Sequence, residues 1–180
     1  MSTSKRGEDG NQMADELKSK PSPAWGHTAG LIQIQADPQP ADRGSLAERV
    51  LIAERMYRYG WAFDERQALA LADCFTEDAT WEANIMGTTT VGPHVGRAAI
   101  VDFMTGFWPD QHDQRRHMIT NVIIESQDES AATALSYHLL MSASNGELTP
   151  VTTGFYRVEM RKLGTAWKIC RLLAGYDIPF

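Results

Sequence analysis

Three residues carry the types and spacing that proton-transfer chemistry needs. Tyr59-Gly-Trp-Ala-Phe-Asp64 closes a predicted helix, and Arg116-His117-Met-Ile-Thr-Asn121 opens a predicted strand some fifty residues later. A carboxylate at a helix C-terminus is unfavourable on its own, because the helix dipole is already negative there. Asp64 therefore reads either as a solvated turn former or as a residue kept for function. Imidazole has an unperturbed pKa of about 6.5, suited to moving protons near neutrality. A lone strand His is more often a satisfied core residue. Paired with Asp64 in one pocket, however, His117 becomes half of a general acid–base dyad. Burial beneath Trp61 and Phe63 would raise the Asp64 pKa and improve it as a proton carrier.

Tyr59 is the candidate to polarise a carbonyl. On an ideal helix, positions 59 and 64 lie about 140° apart, whereas Tyr57 and Asp64 lie within about 20°. Tyr59 shares a pocket with Asp64 only if the helix frays or turns first, which Gly60 would allow; Tyr57 stays open as the alternative. Asn121, on the His117 face by strand alternation, could hold a carbonyl or the imidazole. Phe63, Trp81 and Tyr137 read as pocket wall, and His138 should point away from Tyr137 toward surface or sheet packing.

These residues must be positioned by a small fold. The chain has 180 residues, 43% of them hydrophobic, which fits one domain with one core. Its net charge of −6 offers no basic footprint for nucleic acid. No apolar run reaches the roughly 20 residues that span a bilayer. Met1 to Lys20 lacks a secretory apolar segment, and Cys74 and Cys170 read as free thiols. A soluble cytoplasmic protein is expected. His94 and His112 have no metal-ligand spacing, and no phosphate loop or nucleotide fingerprint occurs, so neither metal nor cofactor is called for.

Residues 1–44 are rich in Lys, Asp, Glu, Ser, Gly and Pro and read as a flexible N-terminal arm, although Trp25 and Leu31 to Gln35 could dock. The domain spans 45–180. Ser45-Leu-Ala-Glu48 fits a capping box. Leu46, Val50, Ala53, Tyr57 and Trp61 follow at helical spacing, widened by Ile52, Met56, Tyr59 and Phe63. A second helix is expected over 67–75, stopped by Thr76-Glu-Asp78. A strand follows over 79–86 and a third helix from Gly96 to about Phe107. Strands over about 116–125, 131–143, 151–162 and 166–174 complete an antiparallel meander, with Asn145-Gly146 as a turn. Helices followed by a meander make an α+β fold.

This order of elements, with its residues, resembles the SnoaL-like branch of the NTF2-like (cystatin-like) superfamily. Tyr59 with Asp64, Leu71 to Trp81, Gly96 to Ile100, Arg116 to Asn121 and Trp167 to Arg171 carry the likeness over about 45–178. The resemblance implies a cone-shaped α+β barrel with an apolar pocket. Related pockets serve scytalone dehydratase, bile-acid dehydratase, ketosteroid isomerase and polyketide cyclases, and the fold also serves as the small subunit of ring-hydroxylating dioxygenases. The Tyr59/Asp64 spacing looks most like bile-acid dehydratase, and His117 sits where scytalone dehydratase has one of two catalytic histidines. At the place of the second, this chain reads Met141-Ser-Ala-Ser-Asn145. The implied activity is a cofactor-independent lyase or isomerase acting on a small hydrophobic metabolite, in a homodimer or homotrimer. The implied alternative is a ligand-binding or assembly module.

Overall fold

The computed structural model describes residues 21–34, 36 and 45–179; the remainder of the expected arm lies outside the described residues. After a one-turn helix α1 (Trp25–Thr28) come α2 (Leu46–Asp64) and α3 (Ala68–Asp73). Strands β1 (Phe75–Ile85) and β2 (Thr89–Val95) precede α4 (Arg97–Thr105). The chain then runs through β3 (Gln114–Gln127), β4 (Ala131–Ser144), β5 (Glu147–Leu163) and β6 (Ala166–Tyr176). The six strands form one sheet in the order β2-β1-β6-β5-β4-β3. All neighbours are antiparallel except β1 and β6, which pair in parallel. Helices α2 and α4 pack on one face of this curved sheet, the α+β cone expected.

Helix α2 buries a different face from the one its first apolar series marks. Ile52, Met56, Tyr59 and Ala62 are buried, whereas Leu46, Val50, Tyr57 and Trp61 are exposed. The sheet encloses only one side of the helix, so the second series takes the core and gains about 1.5–3 kcal/mol per large side chain. The capping box does not form: the Ser45 side chain makes no cap hydrogen bond. Glu48 instead accepts from Lys162 Nζ at 2.8 Å and from Trp167 Nε1 at 2.6 Å. These charge-assisted bonds tie the helix start to the β5–β6 hairpin and outcompete a local amide.

Strand β1 begins at Phe75, ahead of the expected stop. Phe75 is fully buried and registers on Ile169, while Glu77 and Asp78 lie exposed in an irregularity before Thr80. Strand β2 is absent from the sequence reading because Gly92 and Pro93 interrupt its pattern. It lies at the sheet edge, where a proline costs no ladder bond. Asn145 and Gly146 both have positive φ, as a tight hairpin turn between β4 and β5 requires. Cys74 and Cys170 are free thiols. Among the described residues, no helix is long and apolar enough to cross a membrane.

His138, expected at the surface or in sheet packing, is fully buried. Its Nε2–H donates to the Gly175 carbonyl at 3.0 Å, and its ring stacks on Tyr156 at 4.4 Å. Burial lowers its pKa to about 4, the Gly175 bond opposing only in part. Between that value and the ordinary 6.5, the unfolded chain binds a proton that the fold refuses. Stability is therefore complete above about pH 6.5 and declines as pH falls toward 4, by about 3 kcal/mol from this group. Urea titrations at pH 7 and pH 4.5 should show the loss, and His138→Gln, which cannot titrate, should flatten it.

Part of the arm is built into the fold. Trp25 is buried against Phe155, with ring centroids 5.3 Å apart, and Leu31, Ile32 and Leu173 join this cluster. Trp25 Nε1 donates to Asp177 Oδ1 at 2.7 Å, and Thr153 Oγ1 holds the other carboxylate oxygen at 2.5 Å. The segment 21–34 carries enough apolar surface, concentrated in Trp25 and Ile32, to offset its own ordering entropy. Trp25→Ala should cost about 3 kcal/mol, and Trp25→Phe about 1 kcal/mol, the worth of the lost hydrogen bond. Urea midpoints measure both; an unchanged midpoint for Trp25→Ala would show that the arm only rests on the sheet.

Candidate active site

The C-terminal turn of α2 and the first residues of β3 build the site together. Gly60 permits the approach: a Cβ there would lie 3.2 Å from His117 Cβ and 3.3 Å from Ile119 Cδ1. Asp64 Oδ1 lies 2.6 Å from His117 Nδ1, and Asp64 Oδ2 accepts the His117 backbone N–H at 2.7 Å. Both side chains are nearly enclosed, 5% exposed for Asp64 and 9% for His117. A carboxylate accepts, so Nδ1 carries a proton, and in the neutral ring the lone pair is on Nε2. The two bonds offset the unfavourable place of a carboxylate at a helix end. Arg116 points the other way, pairing with Glu65 at 2.7 Å and lying over the exposed Trp61 ring.

His117 lines a cavity of about 490 Å³, a size typical of small-molecule sites. Its walls include six aromatic side chains, Tyr59, Phe63, Trp81, Phe103, Phe107 and Tyr176, with aliphatic residues between them. Phe63 meets the His117 ring edge-on at 5.2 Å. Tyr59 is 4% exposed against 41% for Tyr57, and of these two Tyr59 lines the cavity. Burial, reinforced by Tyr176, holds the Tyr59 phenol far above its ordinary pKa, which makes it a neutral donor. The Trp81 indole faces it closely enough to oppose that shift in part. Its Nε1 is nonetheless buried without a hydrogen-bond partner. Such a donor in a cavity wall is available to a ligand acceptor.

The helix does not fray to bring Tyr59 and Asp64 together. Helix α2 continues to Asp64, and the two side chains keep their angular offset. Tyr59 faces the cavity, while Asp64 lines a polar depression behind it with Glu65, Arg66 and Gln114. His117 stands between them, Nδ1 on Asp64 and ring against the cavity.

Asn121 and Tyr137 are not in this site. Asn121 has a φ of 54° and occupies a bulge where the β3–β4 register shifts between Thr120 and Ile123. The extra residue reverses the strand's alternation, so Val122 and Ile124 turn inward while Asn121 turns out. Tyr137 is exposed because its neighbours Ser136 and His138 take the core side. Both line a separate depression of about 300 Å³ with Ile32, Ile34 and Phe155. Conversely, the sequence reading passes over Arg115, which lines the same cavity as His117, two residues before it. Strand parity alone places it on the His117 face.

A model of a family described as the SnoaL-like domain matches residues 44–172. No curated protein matches the chain. Among solved structures, an NTF2-like protein with a cystatin-like fold from Novosphingobium aromaticivorans is similar at 22% identity. It has a TM-score of 0.62, with 73% of this chain and 82% of that one covered. A protein from Catenulispora acidiphila in complex with S-DNPA is 25% identical, with a TM-score of 0.64 and coverage of 74% and 96%. The β subunit of a putative aromatic-ring-hydroxylating dioxygenase from N. aromaticivorans shares the fold at 15% identity, with a TM-score of 0.65 and coverage of 76% and 94%.

Proposed function

We propose a catalytic role from a plain premise: the chain belongs to the SnoaL-like domain family of the NTF2-like superfamily. The reading is a cofactor-independent lyase or isomerase, acting by general acid–base proton transfer on a small, apolar, oxygenated ring compound. The observation that carries it is the Asp64–His117 pair at 2.6 Å, nearly enclosed, with the imidazole against an aromatic cavity. A module that only binds needs the cavity but has no use for an oriented imidazole.

The residues divide the work by their chemistry. His117 Nε2 takes a proton from the carbon next to a carbonyl, and Asp64 balances the imidazolium charge that results. Tyr59, neutral and donating, stabilises the enolate oxygen. In a dehydration the enolate then reforms the carbonyl as the C–O bond at the β-carbon breaks. The imidazolium proton leaves with that oxygen as water. An isomerase returns the same proton to another carbon of the conjugated system. Phe63 and Trp81 hold the ring of the substrate. That the similar protein from Catenulispora acidiphila forms a complex with S-DNPA supports a ligand-binding role.

The test is a panel of cyclic β-hydroxyketones and enones incubated in D2O. Water loss, or deuterium entering next to the carbonyl, is followed by NMR. Turnover that depends on His117 supports the reading. Tight binding of panel members without exchange or loss of water would favour a binding module of the dioxygenase small-subunit kind.

A further inference from the structure

Among the described residues that line the cavity, Arg115 is the one arginine or lysine, and it is held in place. Arg115 Nε donates to Asp113 Oδ2 at 2.5 Å, and Ser142 Oγ donates to the same carboxylate oxygen from the neighbouring strand. The Arg115 and Asp113 side chains are 25% and 15% exposed, so this is a partly buried anchor rather than a loose surface pair. One nitrogen of the guanidinium is spent on Asp113. Its terminal Nη groups have no hydrogen-bond or ion-pair partner among the described residues, and the side chain borders the cavity. A fork of N–H donors fixed at its root and open at its tip is the geometry that takes a carboxylate in two parallel hydrogen bonds.

Register sets the distance to the chemistry. Arg115 and His117 are two residues apart on one face of β3, about 7 Å along the strand. The rings of Phe63, Trp81, Phe103 and Phe107 line the same cavity and favour a flat ring system by offset stacking or edge contacts. From this juxtaposition we infer that the substrate is a planar cyclic acid. Its carboxylate sits on the Arg115 fork, and the carbon whose proton His117 moves lies in the ring system beside it. The inference rests on the assignment of this cavity as the substrate site, and it names the class of molecule that site takes. Asp110 and Asp113 also border the cavity: Asp110 is exposed and water screens it, while Asp113 is spent on Arg115 Nε and Ser142 Oγ.

Three ligands of one shape and different charge test it by calorimetry on the full chain: 2-naphthoate, 2-acetonaphthone and 2-naphthylmethylammonium. The acid should bind about 10-fold or more tighter than the ketone, the worth of a hydrogen bond to a charged partner. The ammonium should bind weakest. Arg115→Gln should remove the preference for the acid and leave ketone binding within about 2-fold, while Arg115→Lys, charged but without the fork, should keep only part of it. His117→Ala should leave the ranking unchanged, because the imidazole does not touch the carboxylate. Equal affinities, or a wild type that prefers the ammonium, would overturn the carboxylate assignment while leaving the cavity reading intact. Failure of all three to bind at millimolar concentration would overturn both. The wild-type ranking decides the matter even if Arg115→Gln fails to fold.

Discussion

His117→Ala is expected to lower kcat by about 10²-fold or more on any converted member of the ketone panel, with affinity little changed. The imidazole is asked to act when the proton moves, not when the ring system settles into the cavity. Asp64→Asn should cost a similar factor for a different reason. The carboxylate accepts from both the His117 backbone N–H and Nδ1, and so fixes the tautomer with its lone pair on Nε2. An amide can turn its NH2 toward Nδ1, which would move the ring proton to Nε2 and remove the base. Trp81→Ala should instead raise KM or lower stability, since Trp81 shapes the wall and is 5% exposed. Steady-state kinetics, with thermal unfolding of each variant alongside, separates the three. Full turnover in both dyad variants would mean that the catalytic centre lies elsewhere.

The Asp64–His117 contact was legible in the sequence because its signals are local. An acid at a helix end and a histidine at a strand start each stand out against their element, and the order of elements placed them in one fold. The choice between Tyr57 and Tyr59 was not legible from helical angle. That argument assumed that pocket tyrosine and acid share a helix face, whereas a third side chain, His117, spans the offset between them. Asn121 and Tyr137 were lost through parity. A single bulge residue with positive φ reverses the alternation of β3, and an alternating pattern does not announce it. On β4, Ser136 and His138 take the inward places because the His138 ring finds a carbonyl and two tyrosines inside. Which of two adjacent residues is buried there depends on partners far along the chain. The docking of Trp25 is of the same kind: its partner Asp177 lies 152 residues away.

The largest effect on the fold is expected from one methyl group, in Gly154→Ala. A Cβ at Gly154 would lie 1.9 Å from the Gly175 carbonyl oxygen and 2.9 Å from His138 Nε2. The nearest atom is backbone, so no rotamer change relieves the overlap. Gly175 cannot retreat either, since its own vacant Cβ position lies 2.3 Å from the Phe155 ring. Moving β6 away from β5 would break the His138–Gly175 bond, bury an unpaired carbonyl and displace Tyr176 from the cavity wall. Overpacking in a core costs about 1–3 kcal/mol when side chains can adjust. With the Gly175 backbone on one side and the His138 ring on the other, Gly154→Ala should cost about 4 kcal/mol or more, a large part of a domain's stability of about 5–15 kcal/mol. Gly164→Ala is the control. That glycine has a φ of 63° but open space around its Cβ position, so only the backbone strain of about 1 kcal/mol applies. Soluble yield and urea midpoints should rank wild type, Gly164→Ala and Gly154→Ala in that order. A Gly154→Ala variant as stable as wild type would mean that the crossing of β5 and β6 is looser than the packing around His138 requires, and that the cavity wall at Tyr176 is free to move.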